Sequence, residues 1–319
     1  MIKEILTMKK VIFMGTPQFS VPILQALIDD TEIDVIGVVT QPDRKVGRKQ
    51  FVTPPPVKQL AVEQDIPVYQ PEKLSGSDEM NQLIELEADL IVTAAYGQFV
   101  PTKLLNAPKL RSINVHASLL PKYRGAAPIH YAVLNGDEKT GVTIMYMEKV
   151  MDAGDIISQR AIPIEDEDDT GSLFNKLSLL GRDLLMETLP VIFAKENDSI
   201  PQNEADVTFS PMISKEQERI DWSKEAKAIF NHVRALRPAP GSYTLLADER
   251  FKLWATEVVE ETTTEEPGTV VAIDQNELKV ACGNGTVLSL LEVQPAGKKR
   301  MPVANYLAGT NLEVGQQFN

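Results

Sequence analysis

Short apolar runs alternate with amphipathic segments along the first two-thirds of the chain. Residues 11–14 (VIFM) predict a buried strand ending at Gly15, and residues 21–30 have helical spacing. Further strands are predicted at 33–40, 88–96, 112–116, 141–148 and 155–164, and further helices at 78–87, 126–135 and 171–195. Strands interleaved with helices indicate an α/β fold, and near-continuous apolar strands fit a mostly parallel sheet covered on both faces. We therefore predict a Rossmann-like domain over residues 1–196.

The pattern changes near residue 197. Residues 197–212 are polar, contain prolines and lack a long periodic run, so we interpret them as a linker. A predicted helix at 224–236 is followed by short strand-like segments: SYTLLA, RFKLWATEVV, GTVVAI, ELKVACG and TVLSLLEVQ. Segments of this kind, separated by Gly, Pro, Asn and Asp, are typical of a small β-barrel or sandwich. Residues 213–319 are therefore expected to form a second, smaller β domain.

The composition is that of an acidic globular protein. The 319 residues include 32 Lys and Arg and 45 Asp and Glu, which gives a net charge of −13. Residues 1–200 carry 20 basic and 28 acidic side chains, and residues 201–319 carry 12 and 17, so neither part is basic. Because phosphate contacts need Lys and Arg, any nucleic-acid contact must come from local basic patches.

Membrane spans, secretion signals and metal clusters find no support in the sequence. No run of about 18 apolar residues is present, and the N-terminus lacks the apolar core of a signal peptide, so we expect a cytoplasmic protein. The single cysteine, Cys282, excludes disulfides within the chain and cysteine-cluster metal sites. The acidic run 165–170 precedes a predicted helix, and we interpret it as N-terminal capping in preference to metal binding. We predict no bound metal, with His130 and His232 structural or solvent-facing.

Asn114 and His116 lie two residues apart at the end of an apolar strand. Strand side chains alternate, so both point to one side, and ligands of open α/β sheets collect beyond the carboxyl ends of strands. A His exchanges protons near neutral pH, and an Asn amide donates to an oxyanion without changing charge. The pair suits acyl transfer, although a lone His at a strand end is more commonly a buried structural group.

A second polar element follows the strand at 141–148. The sequence MDAGDI (151–156) places Asp152 and Asp155 three residues apart around a glycine, as in a tight turn. A carboxylate near a His can hold its charged form or relay a proton. The alternative is turn capping, which we expect for one of the two aspartates.

Together, NVHASLLPKYRG (114–125) and MDAGDI resemble the folate-dependent formyltransferases. In that family an Asn-x-His pair and a later Asp form the catalytic site, which corresponds here to Asn114, His116 and Asp152. The SLLP segment of the family lies beside the folate and corresponds to Ser118, Leu119, Leu120 and Pro121. The joint motif is highly specific, whereas each part alone would be weak.

Other segments are similar to the branch of this family that acts on methionyl initiator tRNA. They are FMGTPQFSVP (13–22), TQPDRKVGRK (40–49), AAYGQFVP (94–101), GAAPIH (125–130), RIDWS (219–223) and LLEVQPAGKKRM (290–301). This resemblance covers nearly the whole chain. It implies formyl transfer from 10-formyltetrahydrofolate to the α-amino group of methionyl initiator tRNA, for translation initiation. It also implies that the second domain is an OB-like barrel that helps hold the tRNA.

The resemblance implies a mechanism as well. The amine attacks the formyl carbon, and Asn114 and protonated His116 stabilise the resulting oxyanion. Asp152 holds His116 in its charged form and organises a water that relays a proton. The sequence itself leaves open which groups carry protons at rest.

A basic insert follows the second predicted strand. Between residues 40 and 60 the acid Asp43 stands against five basic residues: Arg44, Lys45, Arg48, Lys49 and Lys58. Composition alone favours a solvated loop, but the resemblance implies contact with the tRNA acceptor arm, with Arg48 the best match and Arg44 the second. A second basic cluster, residues 298–300, either contacts tRNA or is a solvated turn.

The sequence argues against some alternative functions more strongly than against others. The signatures G-x-G-x-x-G, G-x-S-x-G and G-x-x-x-x-G-K-[ST] are absent, which argues against dehydrogenases, serine hydrolases and P-loop NTPases. The basic insert and the second domain argue against an amino-sugar or amino-nucleotide acceptor. A non-catalytic folate- or RNA-binding module would not need Asn114, His116 and Asp152 together. Hydrolysis of formyl-folate stays open, and we expect a monomer.

Overall fold

A computed structural model describes residues 8–47 and 50–319, and its contacts divide the chain into two units. In the first unit, seven strands of the described chain form one sheet: β1 (Lys9–Gly15), β2 (Ile33–Val39), β5 (Val68–Tyr69), β6 (Leu90–Ala94), β7 (Ser112–His116), β8 (Lys139–Tyr146) and β9 (Ile156–Pro163). Two further strands, β3 (Arg44–Val46) and β4 (Phe51–Thr53), form a separate antiparallel hairpin.

The sheet has the order β5-β2-β1-β6-β7-β8-β9. Strands β5, β2, β1, β6 and β7 are parallel, and β8 runs antiparallel to β7. All five residues of β6 are buried, as are residues 11–15 of β1, because both faces of these strands are covered. The prediction of a mostly parallel Rossmann-like sheet is confirmed. The chain changes direction along the sheet between β1 and β6, where ligands of such folds commonly bind.

The helices are α1 (Val21–Asp29), α2 (Pro56–Glu63), α3 (Asp78–Glu85), α4 (Thr102–Leu105), α5 (Pro128–Leu134), α6 (Thr170–Ala194), α7 (Ala226–Ala235) and α8 (Val303–Leu307). The predicted helices α1, α3, α5, α6 and α7 are confirmed. Helix α2 was not predicted, because three consecutive prolines precede its apolar positions. Pro56 occupies its first position, where a missing N–H costs no intrahelical hydrogen bond.

The acidic run before α6 caps that helix. Asp169 Oδ1 accepts a hydrogen bond from the Ser172 N–H at 2.8 Å, and the Ser172 hydroxyl accepts one from the Asp169 N–H at 3.1 Å. This reciprocal pair is a capping box, so the predicted capping role is confirmed at Asp169. Among the residues with described positions, no group of three or more His, Cys, Asp or Glu could hold a metal ion.

The second unit contains an antiparallel sheet with the order β10-β11-β14-β13-β12, and a further short strand, β15, on β14. The strands are β10 (Ser242–Leu246), β11 (Glu249–Thr262), β12 (Val270–Ile273), β13 (Leu278–Ala281), β14 (Thr286–Pro295) and β15 (Met301–Pro302). Cys282 directly follows β13 and is fully buried, and burial raises the pKa of its thiol to about 12. It therefore packs as a small apolar residue.

The last residues of the chain join the two edges of this sheet. On one side, the Val270 N–H of β12 donates to Gln316 O at 2.8 Å, and the Phe318 N–H donates to Gly268 O at 2.9 Å. On the other side, Leu245 of β10 and Asn319 exchange two backbone hydrogen bonds of 2.9 Å. The sheet is thus bridged from β12 to β10, in the manner of the predicted barrel, and neither edge strand is left unpaired along this stretch.

The two units do not correspond to a single cut in the chain. The first comprises the described residues up to Gly125 together with Thr140–Ile162 and Phe174–Ser210. The second comprises Ala126–Lys139, Pro163–Leu173 and Pro211–Asn319, so helix α5 packs with α7 inside it. The division into functional domains at 1–196 and 213–319 stays a prediction. None of the described helices is long and apolar enough to cross a bilayer.

Phe318 provides a test of the core of the second unit. Its ring is 2% exposed and lies 5.8 Å from the Trp222 ring and 5.3 Å from the Phe251 ring, between centroids. We expect the Phe318→Ala variant to lose about 3–5 kcal/mol of unfolding free energy in denaturant titrations, because the surrounding side chains cannot fully fill the cavity that the missing ring leaves. The control is Phe209→Ala, since Phe209 is 70% exposed. Equal losses in the two variants would contradict this assignment.

His232 provides a test through pH. Burial lowers the pKa of His232, whose Nε2 donates to Gln217 O at 2.7 Å. Below about pH 6.5 the unfolded chain therefore binds a proton that the folded chain does not, and stability falls as the pH falls. We expect the melting temperature of the His232→Gln variant to drop less between pH 7 and pH 5 than that of the wild type. Burial also lowers the pKa of His130, so part of the dependence remains. An unchanged drop would refute the role of His232.

Candidate active site

Strand β7 carries Asn114 and His116 on one face near its carboxyl end. Thr93 of β6 pairs with Asn114 in the sheet, and its hydroxyl donates a hydrogen bond to Asn114 Oδ1 at 2.8 Å. Because that oxygen is occupied, the Asn114 amide directs its N–H donors elsewhere. Its nitrogen lies 3.5 Å from Asp152 Oδ1. The amide is therefore held in one orientation, with its donors facing the carboxylate.

His116 is buried, with its two ring nitrogens in different surroundings. Nε2 lies 3.0 Å from the Tyr123 carbonyl oxygen, which can only accept, so Nε2 carries a hydrogen. Nδ1 lies 3.8 Å from Asp152 Oδ1, which is too long for a direct hydrogen bond. The side chains of His116 and Asp152 are only 6% and 12% exposed. Nδ1 is therefore the ring nitrogen that no direct hydrogen bond occupies, and it faces a carboxylate.

Asp152 reaches this position from the turn between β8 and β9. Since Tyr146, the last residue of β8, pairs with Ile113 at the start of β7, the chain must fold back over the sheet to approach His116. Asp152 has a φ of +54°, in the left-handed region. At Gly154 a Cβ atom would lie 1.9 Å from the Tyr146 carbonyl oxygen, so no other residue fits. The tight turn predicted around this glycine is present.

Two contacts distinguish the two aspartates of the turn. Asp152 Oδ2 accepts a hydrogen bond from the Gly125 N–H at 2.9 Å, which ties the turn to the loop after β7. Asp155 Oδ2 instead accepts from the Ser199 hydroxyl at 3.2 Å. Asp152 thus joins Asn114 and His116, whereas the Asp155 carboxylate is bonded to Ser199, a residue 44 positions further along the chain, rather than to the turn itself.

The three side chains offer complementary chemistry. Asn114 supplies fixed N–H donors, His116 supplies a proton-exchanging nitrogen, and Asp152 supplies a negative charge that favours a proton between them. All three are held by backbone or side-chain partners in a largely buried place, so little reorganisation is needed when charge develops on a bound group. The arrangement suits transfer of an acyl group to a nucleophile that must lose a proton.

The predicted folate segment, residues 118–121, is only partly accessible. The side chains of Ser118 and Leu120 are buried, at 0% and 3% exposure. Leu119 and Pro121 are intermediate. A ligand beside this segment would therefore meet its backbone and the side chains of Leu119 and Pro121.

Two side chains of the neighbouring strands fasten this segment. The Thr143 hydroxyl donates to Ser118 O at 2.7 Å and accepts from the Leu120 N–H at 3.2 Å. The Gln159 amide donates to Leu120 O at 2.7 Å. These contacts hold the backbone of the segment against the sheet.

Residues 202–210, interpreted from the sequence as linker, brace the loop after β7. The Thr208 hydroxyl accepts from the Tyr123 N–H at 2.9 Å, and Thr208 O accepts from the Arg124 N–H at 2.9 Å. The Ser210 N–H donates to Arg124 O at 2.8 Å. Sequence reasoning missed these residues because they carry no periodicity, and their polar side chains are equally typical of a solvated linker.

The basic insert forms the β3–β4 hairpin rather than an irregular loop. Arg44 begins β3 and is 62% exposed, with Glu72 at 3.4 Å. Lys58 is 2.8 Å from Asp43, and its hydrogen bond lowers the pKa of that carboxyl. Lys58 is therefore neutralised at the base of the hairpin and does not add to its free positive charge. Arg48 lies outside the described residues, as does Lys49.

Apolar side chains accompany the basic ones on this hairpin. Val46, Phe51 and Val52 are 55%, 67% and 63% exposed. Val46 pairs with Phe51 across the two strands, so these two side chains share one face with Arg44. The hairpin thus presents positive charge and apolar surface together.

An open cleft lies beside the hairpin, beyond the ends of β2 and β6. It is lined by Gln41, Glu72, Lys73, Ser75, Gln98 and Phe99. Asn114, His116 and Asp152 do not line it, so the cleft is a separate feature of the same sheet edge.

The second predicted basic cluster is partly neutralised. Arg300 is hydrogen-bonded to Glu292, and its guanidinium lies 5.0 Å from the centre of the Trp254 ring. Lys252 lies 5.3 Å from the same ring. Residues 298–299 are exposed. The cluster therefore keeps free positive charge at the lysines, with a tryptophan beside it.

The mostly parallel sheet and the amide–imidazole–carboxylate group together define an acyl-transferring α/β protein. Comparison with known families narrows this class. A family model described as "Formyl transferase" matches residues 8–189, and one described as "Formyl transferase, C-terminal domain" matches residues 212–311. The chain belongs to the formyl transferase family.

Individual relatives are similar over nearly their whole length. The methionyl-tRNA formyltransferase of Latilactobacillus sakei subsp. sakei is 58% identical over 312 residues, which cover 97% of this chain and 98% of that protein. The methionyl-tRNA formyltransferase of Pediococcus pentosaceus is 56% identical over 313 residues, or 98% of each chain. Among solved structures, an N-formyltransferase from Helicobacter canadensis has a TM-score of 0.68 at 18% identity, covering 91% of this chain and 100% of that one. That similarity is one of fold.

Substitutions of His116 on β7 and of Asp152 in the turn provide a test of the candidate site. We expect His116→Ala and Asp152→Asn each to lower kcat for formyl transfer about 10²- to 10⁴-fold, because the proton-exchanging pair is broken. The matched control is Asp155→Asn, an identical change three residues along the same turn, which should leave kcat within about threefold of the wild type. Melting temperatures verify that each variant is folded. Near-normal turnover in a folded His116→Ala or Asp152→Asn variant would refute the site.

Proposed function

We propose that this protein transfers the formyl group of 10-formyltetrahydrofolate to the α-amino group of methionyl initiator tRNA. The observation that carries the proposal is the convergence of Asn114, His116 and Asp152 in a chain of this family. The full-length similarity to methionyl-tRNA formyltransferases supports the choice of acceptor.

In this proposal each of the three residues has a separate role. The amine of the acceptor attacks the formyl carbon of the folate. The bond from that carbon to the folate nitrogen breaks, and the proton that the amine loses ends on the nitrogen that leaves. Asn114 donates a hydrogen bond to the formyl oxygen as that oxygen gains negative charge. His116 Nδ1 holds or accepts a proton, and Asp152 stabilises the charged imidazole. The 3.8 Å between Nδ1 and the carboxylate is longer than a direct hydrogen bond, and a water could bridge the two groups.

We assign the folate side of the site to residues 118–121. Since the side chains of Ser118 and Leu120 are buried, Leu119, Pro121 and the backbone would make the contacts. No metal is needed for this chemistry, because the charge that develops is met by N–H donors and an imidazole.

We assign tRNA binding to the basic insert that contains β3 and β4, through Arg44 and through Arg48, which lies outside the described residues. The net charge of −13 repels tRNA at long range, so binding depends on local positive groups. Arg44 is exposed and carries such a group, while Phe51 on the same face offers a surface for a base to stack on. The exposed lysines at 298–299 in the second unit are assigned to the same ligand. We further infer a cytoplasmic monomer, with residues 213–319 as its tRNA-binding domain.

The acceptor is identified by a direct comparison. Initial rates with 10-formyltetrahydrofolate are measured for methionyl initiator tRNA, methionyl elongator tRNA and a free amino sugar at equal concentration. We expect the initiator tRNA to give by far the highest kcat/KM. A higher value with the amino sugar would contradict the tRNA assignment and favour a sugar N-formyltransferase. Folate hydrolysis that is independent of any acceptor would contradict transfer altogether.

Two arginines of the basic insert give a second test. We expect Arg48→Ala and Arg44→Ala each to raise KM for methionyl-tRNA about tenfold or more, corresponding to loss of a phosphate contact, while KM for the folate stays unchanged. The control is Lys10→Ala, which removes one exposed positive charge at the opposite, amino-terminal end of β1. Equal losses for both substrates, or an equal effect of Lys10→Ala, would contradict the assignment.

A further inference from the structure

One glutamine connects the two loops that hold the candidate site. The Gln202 side-chain amide donates to Asp152 O at 2.7 Å and to Gly154 O at 2.8 Å, so both of its N–H donors bind the turn between β8 and β9. Its Oε1 accepts from Arg124 Nε at 2.9 Å. Gln202 therefore contacts the turn after β8 and the loop after β7 at the same time.

Arg124, in the loop after β7, is itself held in place by burial and by a second partner. It is only 4% exposed, and its guanidinium also donates to Glu204 at 2.9 Å. The residues on either side of it touch the candidate site directly. The Tyr123 carbonyl oxygen accepts from His116, and the Gly125 N–H donates to the Asp152 carboxylate. A shift of Arg124 would therefore move both contacts.

The turn needs external support because its backbone is strained. Asp152 adopts a left-handed φ of +54°, a conformation that costs free energy for residues other than glycine, although Asp tolerates it better than most. Two carbonyl groups, at residues 152 and 154, point toward one place and would lose their partner without the Gln202 amide. An unpaired carbonyl in a half-buried place favours relaxation of the turn. Relaxation would change the 3.8 Å spacing between Asp152 and His116.

We propose that Gln202 is a positioning residue for formyl transfer. Without touching the reacting groups, it holds the Asp152 turn against the Arg124 loop and so sets the distance between the carboxylate and the imidazole. This inference rests on the proposed function of Asn114, His116 and Asp152. It assigns a role in the reaction to residue 202, which lies in the segment that sequence patterns mark as a linker.

The cleanest variant is Q202E, which has nearly the same shape and keeps the oxygen that Arg124 binds. An ionised carboxylate cannot donate, so the two bonds to the turn are lost selectively. We expect kcat to fall about 10- to 100-fold with KM for each substrate within about twofold. Gln202→Leu, which also loses the bond to Arg124, should lower kcat at least as far. The control is Q64E, the same substitution at an exposed glutamine at the end of α2. Wild-type kcat in folded Q202E would overturn the inference.

Two further measurements separate positioning from a merely structural role. In a D152N background Q202E should change kcat less than twofold, because its effect acts through the Asp152 carboxylate. If the decreases in kcat caused by Q202E and by D152N multiply in the double variant, Gln202 does not act through Asp152 and the inference is wrong. Independently of activity, amide hydrogen exchange in a peptide covering 150–156 should speed up in Q202E while peptides of β1 and β6 stay unchanged. Unchanged exchange at the turn would equally overturn it.

The outcome is separable from the acceptor question. If the wild type transfers formyl to an amine other than methionyl-tRNA, the tRNA assignment fails, and the Gln202 comparison is made with that amine. If the wild type is fully active with methionyl-tRNA and Q202E is equally active, only the role of Gln202 fails.

Discussion

The hydrogen bond between the Gly125 N–H and the Asp152 carboxylate holds the turn after β8 against the loop after β7. The order of the strands alone would not bring these two segments together. Strand β7 delivers Asn114 and His116 through the simple alternation of its side chains. Strand β8 runs in the opposite direction, so its end lies beside Ile113, at the far end of β7 from His116. The turn that follows must therefore return across the sheet, and its left-handed residue and its glycine are the means by which it does so. The approach of the Asp152 carboxylate to Asn114 and His116 depends on this return.

Sequence patterns predicted the parts of the site that obey a period or a motif. The apolar run ending in Asn-x-His marked β7, and the MDAGDI turn was evident from its glycine between two aspartates. The order of the strands and the antiparallel direction of β8 beside β7 could not be predicted in the same way, because hydrophobic periodicity does not indicate which strands become neighbours. The position of Asp152 relative to β7 therefore emerged only from the fold, while its identity as a site residue came from family resemblance.

The features that the sequence concealed are those whose partners are far away in the chain. Helix α2 is hidden behind three prolines that normally signal a loop, although Pro56 is compatible with a first helical turn. The backbone bonds of Phe318 and Asn319 to both edges of the second sheet have no local signature. Gln202 and Thr208 resemble ordinary linker residues, since a polar side chain looks the same in sequence whether it faces water or a backbone carbonyl.

Charge is distributed in a way that composition obscures. The chain as a whole is acidic, and some of its basic residues, such as Lys58 and Arg300, are already paired with carboxylates. Even the exposed Arg44 has a carboxylate, Glu72, at 3.4 Å. A polyanion would thus be repelled by most of the surface and attracted at few points, which favours one orientation of binding over many.

The close approach at Gly154 has a consequence for how this family can diverge. A Cβ atom there would collide with the Tyr146 carbonyl oxygen, so the main chain itself, and not only the three polar side chains, limits what evolution can change. A gene duplicate that keeps Asn114, His116 and Asp152 but replaces this glycine would retain the familiar signature and lose the geometry behind it. Such a pseudoenzyme would be recognised by the loss of Gly154, because its three polar residues would look intact.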